Sequence, residues 1–516
     1  MRTRVIIIGA GPTGLMAACQ LARFGCDFII IDQKSCPTRE SRAIIVTPRS
    51  LEIYQQLGLI RDLLKNSKPI PDLSLFIDGR QRALFSLADA GKNLTAYPNF
   101  QAFEQYKNEH LLFVNLQKRG HRVLWNTSFG RLEQQANRVI VHAFQIKDEA
   151  SIPLMIDADY LLACDGASSP VRHALQMSFQ GGTYPAKFFV ADVKLNWEQS
   201  PKRIIATPAR NIFCAFFPMY GDKAYRILGT LPKNVRTEII GSFDLLKPVI
   251  SKAAKIPMQI ETVNWFSVYQ LHHRCIRSFR KGNCFLLGDA AHIHSPAGGQ
   301  GMNTGLQDAH NLAWKIALVT RRQAGNRLLD TYHSERFPFA QWLLRFTDRL
   351  FRFMSGSNLL QHGLRKYVAP FFFKWLSSHP AVREKIFLVL SQLWYRLPPA
   401  PAAYQQTRQI LKFSIGERCP FLYTEIDGVV KSTYDLLTVP GFVLLSIGHR
   451  SGSAGTHRAN DRLPAVTMVN LPLDAGWQEI GVVKRLALLV RPDHYISIIA
   501  DEITPEILRS YFATFQ

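Results

Sequence analysis

The chain has 516 residues, 47% hydrophobic and 20% charged, with 62 Lys and Arg against 39 Asp and Glu for a formal net charge of +23. These proportions exclude a disordered chain, a collagen-like repeat and a small disulfide scaffold, and the length suits roughly three domains. The positive balance points to anionic ligands, nucleic acid or an anionic membrane surface. Eight scattered cysteines without a CxxC pair read as reduced, mostly packed thiols of a cytoplasmic protein.

The first residues imitate an export signal, because Arg2 and Arg4 precede an uncharged stretch at 5–22. A signal core has no use for three spaced glycines, whereas a strand at 5–8, a turn and a helix at 15–24 do. Gly9, Gly11 and Gly14 satisfy GxGxxG between that strand and that helix. The first glycine allows the tight turn, the second lets backbone approach a pyrophosphate, and the third permits close helix–strand packing. Pro12 and Thr13 sit in the same turn, at a helix N-terminus whose amides suit phosphate. A second apolar run at 28–31 ends in Asp32, spaced for ribose hydroxyls. The unit predicts a parallel sheet covered on both faces and a dinucleotide site, without separating NAD from FAD.

Further strands are predicted at 122–125, 139–144, 160–163 and 284–287. Between 179 and 276 short aromatic and aliphatic runs (188–193, 212–217, 225–230, 262–269) predict an antiparallel sheet inserted into the nucleotide domain. Residues 308–320 and 328–354 read as helices, followed by aromatic-rich helices at 368–376, broken by Pro370, and at 386–395. Pro398, Pro399 and Pro401 mark a linker, and strands at 442–447, 485–490 and 495–500 imply a separate small α/β unit. No apolar run is long enough to predict a membrane span.

Near residue 285 a strand ends at Asp289, and a turn containing Pro296, Gly298, Gly299, Gly301, Met302 and Asn303 feeds a helix at 306–317. Asp289 suits a ribityl hydroxyl, and the amides at 301–303 suit an electron-rich ring carbonyl. This segment resembles the second flavin-binding signature of the FAD-dependent aromatic hydroxylases, the single-component flavoprotein monooxygenases similar to para-hydroxybenzoate hydroxylase. Three further motifs agree with the resemblance. Ser41-Arg42-Ala43 is similar to the family's Arg-Ala segment, Gln105 and Glu109 to its QxxxE pattern, and Asp165-Gly166 through Ser169 and Arg172 to its DGxxSxVR motif. Residues 179–193 resemble the branch of phenol, pentachlorophenol and hydroxyphenylpropionate hydroxylases.

The resemblance implies an α/β architecture: a Rossmann-like FAD-binding domain (1–72, 101–178 and 276–350), an inserted antiparallel substrate-binding sheet (73–100 and 179–275), a helical segment (351–403) and a thioredoxin-like domain (404–516). It implies FAD as cofactor, NADPH or NADH as co-substrate, and O₂. A phenolic or polyketide-like aromatic would be hydroxylated through a flavin C4a-hydroperoxide, with no metal and no nucleic acid. Carried over residue by residue, Gly9, Gly11, Pro12, Thr13, Gly14 and Asp32 hold the ADP half, and Arg42 and Gln105 flank the ribityl chain or ring. Asp165, Gly166 and Asp289 anchor the phosphate–ribityl region, and Pro296, Gly299, Gly301, Met302 and Asn303 face the pyrimidine edge. Pro296, Tyr269 and Arg274 are the candidates beside the chemistry, within a wall drawn from Phe213, Phe217, Tyr225, Tyr269, His272 and Arg274. For any one of these wall residues taken alone, core packing is the better reading, and spacing does not single out a ligand contact.

Residues 416–420, 441–445 and 489–493 resemble the family's C-terminal domain. Cys419 is alone there, so dithiol exchange is excluded and a structural or homodimer-contact role is expected. Residues 321–396 carry 13 Lys and Arg against 4 Asp and Glu. That region reads as a solvated basic face or, alternatively, as a peripheral contact with the inner membrane. Two other functions stay open: an epoxidase or isoprenoid reductase on the same scaffold, and a flavin-bearing membrane-associated binding protein without turnover.

Overall fold

The computed structural model describes residues 1–38, 43–209, 212–231, 242–295, 298–355, 363–399, 403–448, 455–457 and 463–516. Strand Arg2–Ile8 pairs in parallel with Phe28–Ile31 across helix Pro12–Arg23. Val5, Ile6 and Ile7 are all fully buried, which is why this run is continuously apolar rather than alternating. Pro12 opens the helix at a position where its missing N–H costs no hydrogen bond. The sheet runs Arg280–Lys281, Cys284–Leu286, Ala150–Ala163, Arg2–Ile8, Phe28–Ile31, Val123–Leu124, and a ribbon of Arg138–Lys147 and Thr127–Gln135 extends from Ala150–Ala163.

The inserted sheet forms, antiparallel as the sequence predicts except where Arg203–Pro208 pairs in parallel with Asp72–Ile77, and with longer strands. Its order is His292–Ile293, Gln259–Cys275, Gln180–Asn196, Ala224–Thr230, Phe213–Pro218, Arg203–Pro208, Asp72–Ile77, Arg80–Ser86. The 17-residue strands Gln180–Asn196 and Gln259–Cys275 pair with register shifts at Thr183/Lys187, Asp192/Val193 and Lys194/Leu195. Each irregularity resets which side chains face the core, so the alternating pattern reads as disconnected pieces. A third sheet, from Tyr404–Gln406 through Ile496–Ala500, Leu486–Val490, Phe442–Ile447 and Val466–Leu471 to Gly455–His457, closes over Trp477, Leu445 and Leu488.

Two helix expectations are corrected. Pro370 lies in the first turn of helix Ala369–Ser378 rather than breaking it, since the first turn needs no proline N–H. The helix expected at 386–395 is instead Pro380–Ser391, ended by the left-handed backbone of Gln392 (φ 63°). Among the described residues no helix is long and apolar enough to cross a membrane.

Candidate active site

A cleft of about 680 Å³ lies where the parallel sheet meets the inserted sheet. The glycine turn builds one end. Gly9 takes φ +100°, and a Cβ on it would sit 2.4 Å from the Cys164 carbonyl oxygen; one on Gly14 would sit 1.9 Å from the Gly9 oxygen. A Cβ on Gly11 would meet nothing within 4 Å. Gly9 and Gly14 are thus demanded by packing, and Gly11 by what approaches the cleft. Asp32 braces the turn, accepting from the Ala10 amide (2.6 Å) and the Lys34 amide (2.8 Å).

Gln105 and Glu109 grip both ends of the segment 39–42, which lies outside the described residues and includes Arg42. Gln105 Oε1 accepts from the Ala43 amide (3.4 Å), its Nε2 donates to Glu109 (2.9 Å), and Glu109 accepts from the Thr38 amide (2.9 Å). Behind Ala43, Arg226 donates to its carbonyl (3.2 Å) and clasps Asp192 with Nε and Nη2 at 2.7 and 2.8 Å.

The middle of the cleft is formed by Asp165, Gly166 and Asp289. Asp165 Oδ2 accepts from the Val171 amide (3.0 Å), whereas its buried Oδ1 meets no protein donor. Burial pushes this carboxyl above its ordinary value, partly opposed by the Ser169 hydroxyl. Arg172 holds the loop from behind, donating to the Ala167 and Ala290 carbonyls. Cβ atoms on Gly166 and Gly301 would, like that on Gly11, meet open space. An orphaned acceptor, three open glycines and the unpaired first amides of helix Gly301–Thr320 therefore fit the ribityl diphosphate and ring edge of FAD.

The polar residues of that helix anchor it. Asp308 accepts from His292 Nε2 (2.6 Å), Arg336 Nε (2.8 Å) and the Gly288 amide (3.1 Å). Burial alone would raise the Asp308 carboxyl, but His292 and Arg336 reverse this and hold it below 3.8. His292 and His294 share a hydrogen bond of 2.9 Å, and His294 Nδ1, at the cleft, is buried without a protein partner. Burial, reinforced by His292, keeps His294 well below the usual histidine range and so neutral. Asn303 donates to the Ile45 and Gly299 carbonyls and accepts from the Thr47 amide, bracing the loop.

The far end of the cleft is the inserted sheet. Trp265, Ser267 and Tyr269 project from one strand, with Phe217, Leu228, Leu271 and His272. Of the predicted residues, the cleft brings together Gly9, Gly11, Pro12, Thr13, Asp32, Gln105, Asp165, Gly166, Asp289, Gly299, Gly301, Met302 and Tyr269. Gly14 and Asn303 support it from behind. Tyr225 is corrected to core, since strand alternation sends Arg226 and Leu228 to the cleft and turns Tyr225 against Trp197. Phe213 packs with Ala206 and Ala215 away from the lining. Arg274 does not line the cleft either, and donates to Thr183 (3.1 Å). Pro296 lies outside the described residues. Trp265, Arg226 and His294 went unpredicted; a strictly alternating reading of 265–269 is the one signal that picks out Trp265.

Known proteins match this architecture. The sequence profile of the FAD binding domain family matches residues 2–347. The chain is 34% identical over 351 residues to 6-methylpretetramide 4-monooxygenase of Streptomyces rimosus, covering 67% of this chain and 61% of that protein, just over three fifths of its length. It is 27% identical over 510 residues to an uncharacterized aromatic compound monooxygenase of Bacillus subtilis, covering 98% and 96% of the two chains. The solved anhydrotetracycline hydroxylase OxyS of Streptomyces rimosus superposes with a TM-score of 0.76 at 26% identity over 99% of each chain. The chain belongs to the FAD binding domain family, among the FAD-dependent aromatic hydroxylases.

Proposed function

We propose that this protein is an FAD-dependent monooxygenase that uses NAD(P)H and O₂ to hydroxylate a phenolic or polyketide-like aromatic. One observation carries the reading: a single cleft runs from the dinucleotide cradle at Gly9–Gly11 to the aromatic wall of Phe217, Trp265 and Tyr269. FAD held there would supply the redox chemistry that links nicotinamide, oxygen and the aromatic. The protein's task is to bind, orient and exclude water. Asp32, Asp165 and Asp289 would hold FAD's hydroxyls, and the amides of 301–303 its ring edge.

A phenol reacts best as its phenolate, and the wall offers a donor for one. Arg274 donates to the Thr183 hydroxyl, which lies 2.8 Å from His272 Nδ1. We assign Nδ1 as the acceptor from Thr183, which leaves Nε2–H to donate to a phenolate oxygen. Arg274 is then a positioning residue. Burial, with Arg274 and His273 adding to it, keeps His272 below its ordinary value and so neutral. Residues 404–516, read as a thioredoxin-like domain in a cytoplasmic protein, serve structure: burial holds lone Cys419 inert, its thiol pushed up to about 12.

The test is NAD(P)H oxidation by the yellow protein across a panel of phenols and fused-ring aromatics. Stimulated oxidation coupled to an oxygenated product is expected. A flavin-loaded protein that no phenol stimulates overturns the proposal.

A further inference from the structure

The aromatic-rich segment after residue 363 buries the face that a globular helix normally buries, and exposes a second apolar face as well. On helix Ala369–Ser378, Ala369 and Leu376 are buried where the helix packs on strand Arg80–Ser86. The outer face carries Leu364, Val368, Phe371, Phe372 and Trp375, which are 40%, 53%, 77%, 53% and 46% exposed. The i, i+4 and i, i+3 spacings 368–372, 371–375 and 372–375 align them in one stripe, and the Phe372 and Trp375 rings stack with centroids 6.1 Å apart. Leu84 on the adjoining strand is 39% exposed, and the same strand also exposes Arg80 and Arg82. Scattered exposed apolar residues need no explanation, but a contiguous stripe of rings does.

Between the flanking Asp348 and Glu384 the charge along the sequence is of one sign. From Arg349 to Arg383 the sequence holds six cations, Arg349, Arg352, Arg365, Lys366, Lys374 and Arg383, and no Asp or Glu. A second copy of the chain is a poor occupant, since a two-fold contact would set these cations against themselves. Aromatic side chains flanked by Lys and Arg are the composition that seats in the headgroup region of a bilayer. We propose that the face formed by Val368, Phe371, Phe372 and Trp375 docks the protein on an anionic lipid bilayer. The following helix, Pro380–Ser391, ends at the flavin loop, where the Leu390 carbonyl accepts from Gln300 at 2.8 Å. The docked face and the cleft are thus joined by one helix. A lipophilic aromatic dissolved in the bilayer is the class of substrate this placement favours.

The experiment is co-sedimentation of the full-length flavoprotein with phosphatidylcholine vesicles, with and without phosphatidylglycerol. Pelleting with the anionic vesicles is expected, weakening in added salt, and the F371S/F372S/W375S variant should bind about tenfold more weakly or worse. Flavin content and melting temperature establish that the variant is folded; if it is not, Phe371→Ser alone is read the same way, with a smaller loss. No pelleting on anionic vesicles, or equal pelleting of wild type and variant, overturns the proposal. So does light scattering that finds a wild-type dimer and a monomeric variant, which would assign the face to a second copy. The readout is independent of turnover, so its failure leaves the hydroxylase proposal standing.

Discussion

Gly11 and Gly14 make different demands on the same turn, and two substitutions separate them. Gly14→Ala places a Cβ 1.9 Å from a backbone oxygen, so the turn must move. A loss of about 2 kcal/mol or more is expected in urea melts of the apoprotein, as for overpacking of a rigid backbone contact. Gly11→Ala meets open space. It should leave the apoprotein melt unchanged within about 0.5 kcal/mol yet reduce retained flavin, measured by the absorbance of the purified protein. The glycines, Asp32 and Asp289 are legible in the sequence because backbone geometry fixes their spacing to a neighbouring strand or helix. Arg226 and Asp192 are not, because the partners lie 34 residues apart and meet only through sheet register. Arg274 follows the wall residues in sequence, but its guanidinium turns to the Thr183 hydroxyl and away from the cleft lining.

At the scale of the element, helix Gly301–Thr320 explains why its motif is so polar for a buried segment. Asp308, Asn311 and Lys315 are fully or almost fully buried, and each has a partner outside the helix or on it. Their work is to fix the helix so that its N-terminal amides stay aimed at the cleft. Asp308→Asn leaves Arg336 and His292 without their carboxylate, and a loss of about 3–5 kcal/mol is expected by chemical denaturation at neutral pH. Because the folded-state value of Asp308 lies below 3.8, its contribution is complete above that pH and is lost as the pH falls beneath it. The gap between wild type and variant should therefore narrow in melts taken at successively lower pH below 3.8. A gap that persists there would show that the carboxylate charge is not what the helix needs. Sequence periodicity finds this helix but not its role, since the partner Arg336 arrives from another helix.

At the scale of the molecule, the same helix is held from its far side by the third sheet. Arg491 pairs with both oxygens of Glu335 (2.7 and 2.8 Å) and with Asp493, while Lys315 reaches Glu335 at 2.7 Å and Asn311 bridges Glu335 and Asp493. Arg49, Glu52 and Arg418 form a second buried link between the units. Arg491→Ala strands two carboxylates, and a destabilisation of about 3–5 kcal/mol with loss of flavin is expected. Unfolding should become two separate transitions by fluorescence and flavin release; a single unshifted transition would show that the network does not couple the units. Composition carries no trace of this coupling. Of the cations behind the net charge of +23, six lie between residues 349 and 383, the stretch that carries the exposed aromatic helix.

Seven of the eight cysteines are buried, and Cys36 alone is exposed. It lies between Lys34 and Thr38, both of which line the cleft. The native protein therefore carries one accessible thiol, and carries it at the rim of the flavin cradle. A maleimide dye or spin label would attach there and nowhere else on the folded chain. Movements of that rim during turnover become observable in real time without altering any residue.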